Sequence, residues 1–392
     1  MKHRILSLLL TGAVLLAGCG GAVPSSSVSG DPPSDTQSAS QSEPAYIPVY
    51  TYVDPAPDMV LAVFKSGDET IEITYENYRL TIDTEELFDR NLAIRELAVV
   101  EVLKKDLAEL KIEIDEQAFL AGVNEQITLL MSMGFADILA QMLAHSDLSE
   151  DAMTAIIREI FRPMHLGDLM YRYYEEQVAR DNPRPEMPDN LTEEDEGYED
   201  ALTAIQEWET KTVREAEALL NEYQASVLNR IEYGNSDEFF AIIDGEKIVW
   251  DQEKLNYIEF YKMSSRINNI AAIHGGEAML IALQKANVQY DGFAYESGYS
   301  DYIEAHLNAP EYMAEIDLCL DELGATRDDY FLALHRTYLL QFIAYDFMQM
   351  LINEYDAIPA DDPTKAETIE DYYNERYQAL LKDGEIVNVT GR

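Results

Sequence analysis

The side chains able to do covalent or metal chemistry are few in this chain and stand apart from one another. There are two cysteines, Cys19 and Cys319, and six histidines, none of them in an HExxH or His-x-His pair. His145, His165, His274, His306 and His335 occur singly, so the ligand spacing of a zinc site is missing. The sequence has no Gly-x-Ser-x-Gly elbow to present a nucleophile, no glycine loop to cradle phosphate and no Asp-x-Asp-x-Asp-Gly calcium loop. Catalysis is therefore not expected, and neither is a cofactor or a metal. His165 and His335 read as polar members of helix faces.

Cys19 stands in a different context. Met1-Lys2-His3-Arg4 is positive, and Ile5 to Leu16 is an apolar run too short to remain as a membrane-spanning helix. It closes on Leu15-Leu16-Ala17-Gly18-Cys19, which resembles the bacterial lipobox, where a signal is cut just before a cysteine that receives a diacylglyceryl group. The resemblance implies a signal peptide at 1–18 and lipid attachment, with palmitate-type chains, at Cys19. It further implies an extracytoplasmic protein held by acylated Cys19 in the lipid bilayer of the bacterial cell membrane, in either a monoderm or a diderm envelope. Cys319 is then left without an intramolecular partner. Its setting, Ala314-Glu315-Ile316-Asp317-Leu318-Cys319-Leu320, has helical spacing, so it reads as a small buried apolar residue.

Residues 19–58 are rich in Ser, Pro, Gly, Gln and Asp and read as a disordered tether. The formal net charge of the chain is −46, and loss of Lys2 and Arg4 with the signal makes the remainder more acidic still. That sign repels nucleic acid, which is not an expected partner, and disfavours electrostatic docking on anionic lipid, while cations and basic unfolded segments are attracted. A local peak, Glu193-Glu194-Asp195-Glu196, lies in a Pro-rich stretch that begins at Asn182-Pro183 and reads as a solvated loop.

Beyond the tether, the elements are mostly helical. Leu92, Val99, Val100, Leu103, Leu107 and Leu110 recur at helical steps and mark one apolar face. Ser149-Glu150-Asp151 and Thr326-Arg327-Asp328-Asp329 open two long helices with capping residues and acidic first turns. Pro163 is expected to kink the first of these, where Gln341 lets the second run straight.

Sliding the chain along itself brings out a weak, long internal repeat. Ala62-Val63-Phe64-Lys65-Ser66-Gly67-Asp68 falls on Phe240-Ala241-Ile242-Ile243-Asp244-Gly245-Glu246, both reading as β-hairpins with a Gly turn. At the same offset Asn91 meets Asn269, Ala108 meets Ala286, and Leu110-Lys111-Ile112 meets Val288-Gln289-Tyr290. Further on, Asp151, Arg158, Asp168 and Met170 meet Asp329, Arg336, Asp346 and Met348. The closing helices correspond at a shorter offset, Asn221-Glu222-Tyr223 with Asn374-Glu375-Arg376, which makes about 181–205 an acidic loop insertion in the first copy. The expected fold class is mainly α, as two tandem helical repeats each opened by a short β-hairpin. The expected domains are 59–236 and 237–392.

This order of hairpin, long helix, helical middle, capped long helix and returning helix resembles the N-terminal domain of SurA and PrsA-type extracytoplasmic chaperones. Phe240 to Ile248 is similar to that family's opening strand, turn and strand, and Ala286-Asn287-Val288 to its link after the first helix. The resemblance implies two SurA N-terminal-like domains and a membrane-anchored holdase or foldase for unfolded or partly folded secreted proteins, bound in a helical cradle. Several members also carry a parvulin prolyl isomerase module. Here Gly134-Phe135-Ala136-Asp137-Ile138-Leu139-Ala140 and His165-Leu166-Gly167-Asp168-Leu169 resemble parvulin passages only faintly, without the alternating strands or the strand-leading His.

Such a cradle would be lined by aromatic and soft side chains, which 25 tyrosines, 12 phenylalanines and 14 methionines supply. The capped helices concentrate them, and Met164, Tyr171, Tyr338, Phe342 and Tyr345 are the candidate peptide-binding residues. Two other readings make different demands. A structural or assembly lipoprotein would bind one specific envelope partner, and a peptidyl-prolyl isomerase would catalyse exchange at X-Pro bonds.

Overall fold

The computed structural model describes residues 56–66, 68–130, 150–187, 197–233 and 238–388. The expected signal at 1–18, Cys19, most of the expected tether, the passage 134–140, Ser149 and the acidic run 193–196 lie outside the described residues. The architecture is mainly α-helical with small antiparallel sheets, and none of the described helices is long and apolar enough to cross a membrane.

Strands β1 (Val60–Ser66) and β2 (Glu69–Thr74) pair antiparallel with a register shift at Leu61, and β1 buries Leu61, Ala62 and Phe64. Helix α1 (Arg79–Glu109) follows and stops where Lys111 takes a left-handed φ of 58°, so that Ile112 N returns to Leu107 O at 2.9 Å. Asp115 caps α2 (Glu116–Leu130), its carboxylate accepting from Gln117 N and Ala118 N at 3.0 and 2.9 Å. Helix α3 (Glu150–Asp181) contains Pro163 and packs on α4 (Tyr198–Leu228).

Strands β3 (Ile231–Tyr233), β4 (Phe239–Ile243) and β5 (Glu246–Val249) form the second sheet, with β4 and β5 turning through Asp244-Gly245. Helix α5 (Gln252–Lys285) ends as α1 does, with Asn287 at φ 55° and Val288 N returning to Leu283 O at 2.9 Å. Then come α6 (Gly292–Leu307), α7 (Pro310–Leu323), α8 (Arg327–Ala357), α9 (Ile369–Leu381) and β6 (Gly384–Ile386). Thr326 and Asp329 form a reciprocal capping box at the start of α8.

Two differences from the sequence reading have local causes. Lys111 and Asn287 each take a left-handed φ past a helix end and Asp115 and Asp291 each cap the helix that follows, so a correspondence of the two stretches would pair Lys111 with Asn287 and not with Gln289. Isolated identities between amphipathic helices define an offset weakly, whereas one left-handed residue defines a helix end sharply. Residues 198–205 are helix, not loop. Gly197, at φ 98°, ends the connection, and Glu199 and Asp200 then suit the positive end of α4, where Ile205 is already buried.

The sheet orders are β2-β1-β6 and β3-β4-β5, so the last strand lies on the first while β3, which follows α4, lies on β4. Helices α1 and α5 lie along each other, and α8 packs on α5. The largest core unites Leu61, Phe64 and Ile82 with Ile258, Ile270, Ile343 and Phe347, so both halves of the chain build it.

Candidate functional site

Helices α6 and α8 carry facing stripes of rings. Asp291 starts α6 by accepting from Phe293 N and Ala294 N at 3.0 and 3.1 Å, and Tyr295, Tyr299, Tyr302 and His306 then repeat at helical steps along one face. The α8 stripe is Phe331, His335, Tyr338, Phe342 and Tyr345. Their ring centroids interlock at 5.0 Å (Tyr295–His335), 4.7 Å (Tyr299–His335), 5.1 Å (Tyr302–Tyr338) and 5.6 Å (Tyr295–Phe342). Offset and edge contacts at these separations are the favourable ones for aromatic rings. Gly298 makes the close approach possible, because a β-carbon there would strike the Tyr338 hydroxyl.

The phenols are positioned as donors. Tyr295 donates to His335 O at 2.8 Å, and Tyr299 donates to Phe331 O. Burial pushes the Tyr302 hydroxyl up to about 12 and raises those of Tyr295, Tyr299 and Tyr338 as well, so all stay neutral at physiological pH. His335 Nε2 lies 3.6 Å from Glu296 Oε1. This arrangement pairs no nucleophile with a base. Most of the stripe is spent inside the protein, with Tyr295 in the main core and the Tyr295 and Tyr299 hydroxyls on α8 carbonyls, so what remains for a ligand is ring surface at the exposed end and a rim of carboxylates, which suits reversible contact with apolar and cationic side chains. At its open end Tyr345 is 69% exposed, and Phe293, in the first turn of α6, is 86% exposed.

Of the five residues picked from the sequence, Tyr338, Phe342 and Tyr345 fall on this α8 stripe. Met164 and Tyr171 stand on α3. Met164 packs against the main core, and the Tyr171 hydroxyl is raised by burial and then by Glu175 and Glu217. Cys319 is fully buried, 3.7 Å from Asn91 Nδ2, and burial pushes its thiol up to about 12, which makes it unreactive. His165 lies against Phe119 at 4.9 Å.

The sequence reading missed a row of carboxylates on α1. Glu86 is buried between Lys262 Nζ and Arg266 Nη1 of α5, at 3.5 and 3.7 Å. Glu96 accepts from the hydroxyls of Tyr257 and Tyr261 at 2.9 and 2.7 Å. Burial, followed by Asp89, pushes Glu85 up to about 7, and burial pushes Asp89 up to about 6. The available signal was the lack of an apolar stripe at 83–90, where acids recur at helical steps on a helix that packs on α3, α5, α7 and α8. A cleft of about 50 Å³ lined by Glu96, Glu101, Lys104, Glu159, Lys254 and Tyr257 opens beside this row, room for a few waters. No group of three His, Cys, Asp or Glu side chains among the described residues could hold a metal ion.

No protein-family model, curated protein or solved structure matches this chain.

Proposed function

We propose that this chain is a membrane-anchored extracytoplasmic chaperone, tethered through acylated Cys19, that holds unfolded secreted polypeptides without catalysing a covalent step. The observation that carries this reading is the α6–α8 face, an interlocked aromatic stripe whose end, Tyr345 and Phe293, projects into solvent. Large exposed rings beside adaptable polar groups are costly to leave in water and suit clients of varied sequence.

The order of elements supports the likeness to SurA N-terminal domains. An antiparallel strand pair, a long helix with a left-handed end and an Asp-capped helix occur at 60–130 and again at 239–307, and a long helix and a returning one come later in each stretch, after α7 in the second and after residues outside the described ones in the first. In this reading the two copies are not independent. The terminal strand of each lies on the opening strand of the other, β3 on β4 and β6 on β1, which would lock the cradle into one body.

The test is binding of a permanently unfolded, fluorescently labelled client to the purified chain from Gly20 onward, with aggregation of a refolding client followed in parallel. Saturable binding of several unrelated clients with suppressed aggregation supports the reading. Binding of one folded envelope protein alone would transfer support to a dedicated assembly lipoprotein. Acceleration of X-Pro isomerisation would transfer it to an isomerase.

A further inference from the structure

The open end of the α6–α8 face carries a charge feature besides its rings. Tyr345 continues the stripe of Tyr338 and Phe342 into solvent, and Asp346 follows it in sequence. Asp346 is partly buried: its Oδ2 is closed to solvent and has no hydrogen-bond partner, so the carboxylate is poorly solvated and a cation meets it only from its exposed side. Burial, and then the like charge of Asp291, the cap of α6, raise its pKa. Helix α6 has no Lys or Arg, and the two arginines of α8 are both engaged, Arg327 by Asp317 and Arg336 by Glu277. Glu296 beside His335, and Asp301 beside Tyr338, extend the same acidic rim.

We propose that this end of the face binds a polypeptide segment in which an arginine or lysine stands next to an aromatic or large aliphatic residue, bent so that both side chains face it, the cation taken by Asp346 and the apolar side chain by Tyr345 and Phe342. The inference rests on the chaperone reading and narrows its clients. A guanidinium or ammonium that reaches Asp346 forms a charge-assisted hydrogen bond in a partly desolvated place and meets the Tyr345 ring on the way. Adjacency in the client matters because Asp346 and Tyr345 are themselves adjacent. The net negative charge of the whole chain attracts any basic segment at long range, but it cannot sense which residue neighbours the cation.

The test uses the chain from Gly20 onward and two labelled peptides of identical composition in a Gly-Ser background, one with Arg next to Phe and one with the two widely separated. Anisotropy titrations at physiological salt compare wild type, Asp346→Asn and Tyr345→Ser, with Glu232→Gln, at an exposed position of β3, as a remote control. The adjacent peptide is expected to bind about tenfold tighter than the separated one. Asp346→Asn and Tyr345→Ser each bring that ratio towards one, and Glu232→Gln leaves it unchanged. Equal affinity for both peptides, a ratio that survives Asp346→Asn, or no binding of either peptide overturns the inference. An unfolded protein client measured alongside separates the two levels: if it binds while the peptides show no adjacency preference, the chaperone reading stands and only this narrowing falls.

Discussion

Gly384 of the last strand lies against the rings of Phe64 on the first strand and His274 on α5, where a β-carbon would strike both. Those rings are stacked at 4.5 Å with 8° between their planes, and Phe64 pairs directly with Gly384 in the sheet. Strand β6 is thus seated on β1 through a buried contact that only glycine fits. Gly384→Ala is expected to lower stability by about 1–3 kcal/mol through overpacking. Gly292→Ala, where the added carbon meets nothing within 4 Å, is expected to be neutral or mildly stabilising. Urea unfolding of the two variants decides it, and equal midpoints would contradict the seating.

The same contact makes His274 acid-sensitive. Burial lowers its pKa from 6.5 to about 4, so the folded chain favours the neutral ring. For a base with a depressed pKa, the contribution is complete above the unfolded value and is lost as pH falls from about 6.5 towards 4. A proton-NMR titration of the His274 ring should show a midpoint well below that of an exposed histidine. A midpoint near 6.5 would show that the ring is open to water.

Glu85 and Asp89 act in the opposite direction. Their pKa values are raised to about 7 and about 6, so the folded state holds protons that the unfolded chain releases. Stability from this pair is present at low pH and is lost as pH rises from about 4 through 7. Glu85→Gln is expected to keep the wild-type stability near pH 5 and to exceed it near pH 8 by about 1–2 kcal/mol. A variant less stable than wild type at both pH values would mean that the ionised carboxylate is held by a cation.

Arg230 ties three elements together. Its Nη1 and Nη2 donate to Asp106 on α1 at 2.6 and 3.0 Å, and its Nε and Nη2 donate to Asp244 in the β4–β5 turn at 3.0 and 2.7 Å. Tyr223 of α4 donates to the same Asp106 at 2.6 Å. Lysine cannot reproduce this fork, so Arg230→Lys should cost about 1–3 kcal/mol, mostly through the partly buried Asp106. Thermal melts would show it, and an unchanged melt would mean that the network contributes only local order.

Much of the scaffold was legible from residue types. The helix caps at Thr326 and the Gly turn at 244–245 follow local rules, and the structure has them where those rules put them. The α8 stripe was legible because Tyr338, Phe342 and Tyr345 share one helical face. What could not be read was everything that depends on a distant partner. Met164 and Tyr171 have the same composition and periodicity as the α8 residues, yet their helix packs on α1, α4 and α5, whereas Tyr338 and Phe342, which border the same main core as Met164, meet α6. The lodging of Glu86 between Lys262 and Arg266 requires α5 to lie along α1, and the placing of β6 on β1 joins strands more than 300 residues apart. Neither arrangement leaves a local pattern.

The central claim is that unfolded chains are held at the open end of the α6–α8 face, and a cross-link from that end tests it most directly. A photo-reactive residue placed at Tyr345 should capture a defined unfolded client, while the same group at exposed Leu228, at the end of α4, should not. Both substitutions are at exposed positions and are expected to leave stability within about 0.5 kcal/mol of wild type. Capture at 345 alone, competed away by unlabelled client, is the predicted result. Equal capture at both positions, or none at 345 while the client still binds, would contradict the account.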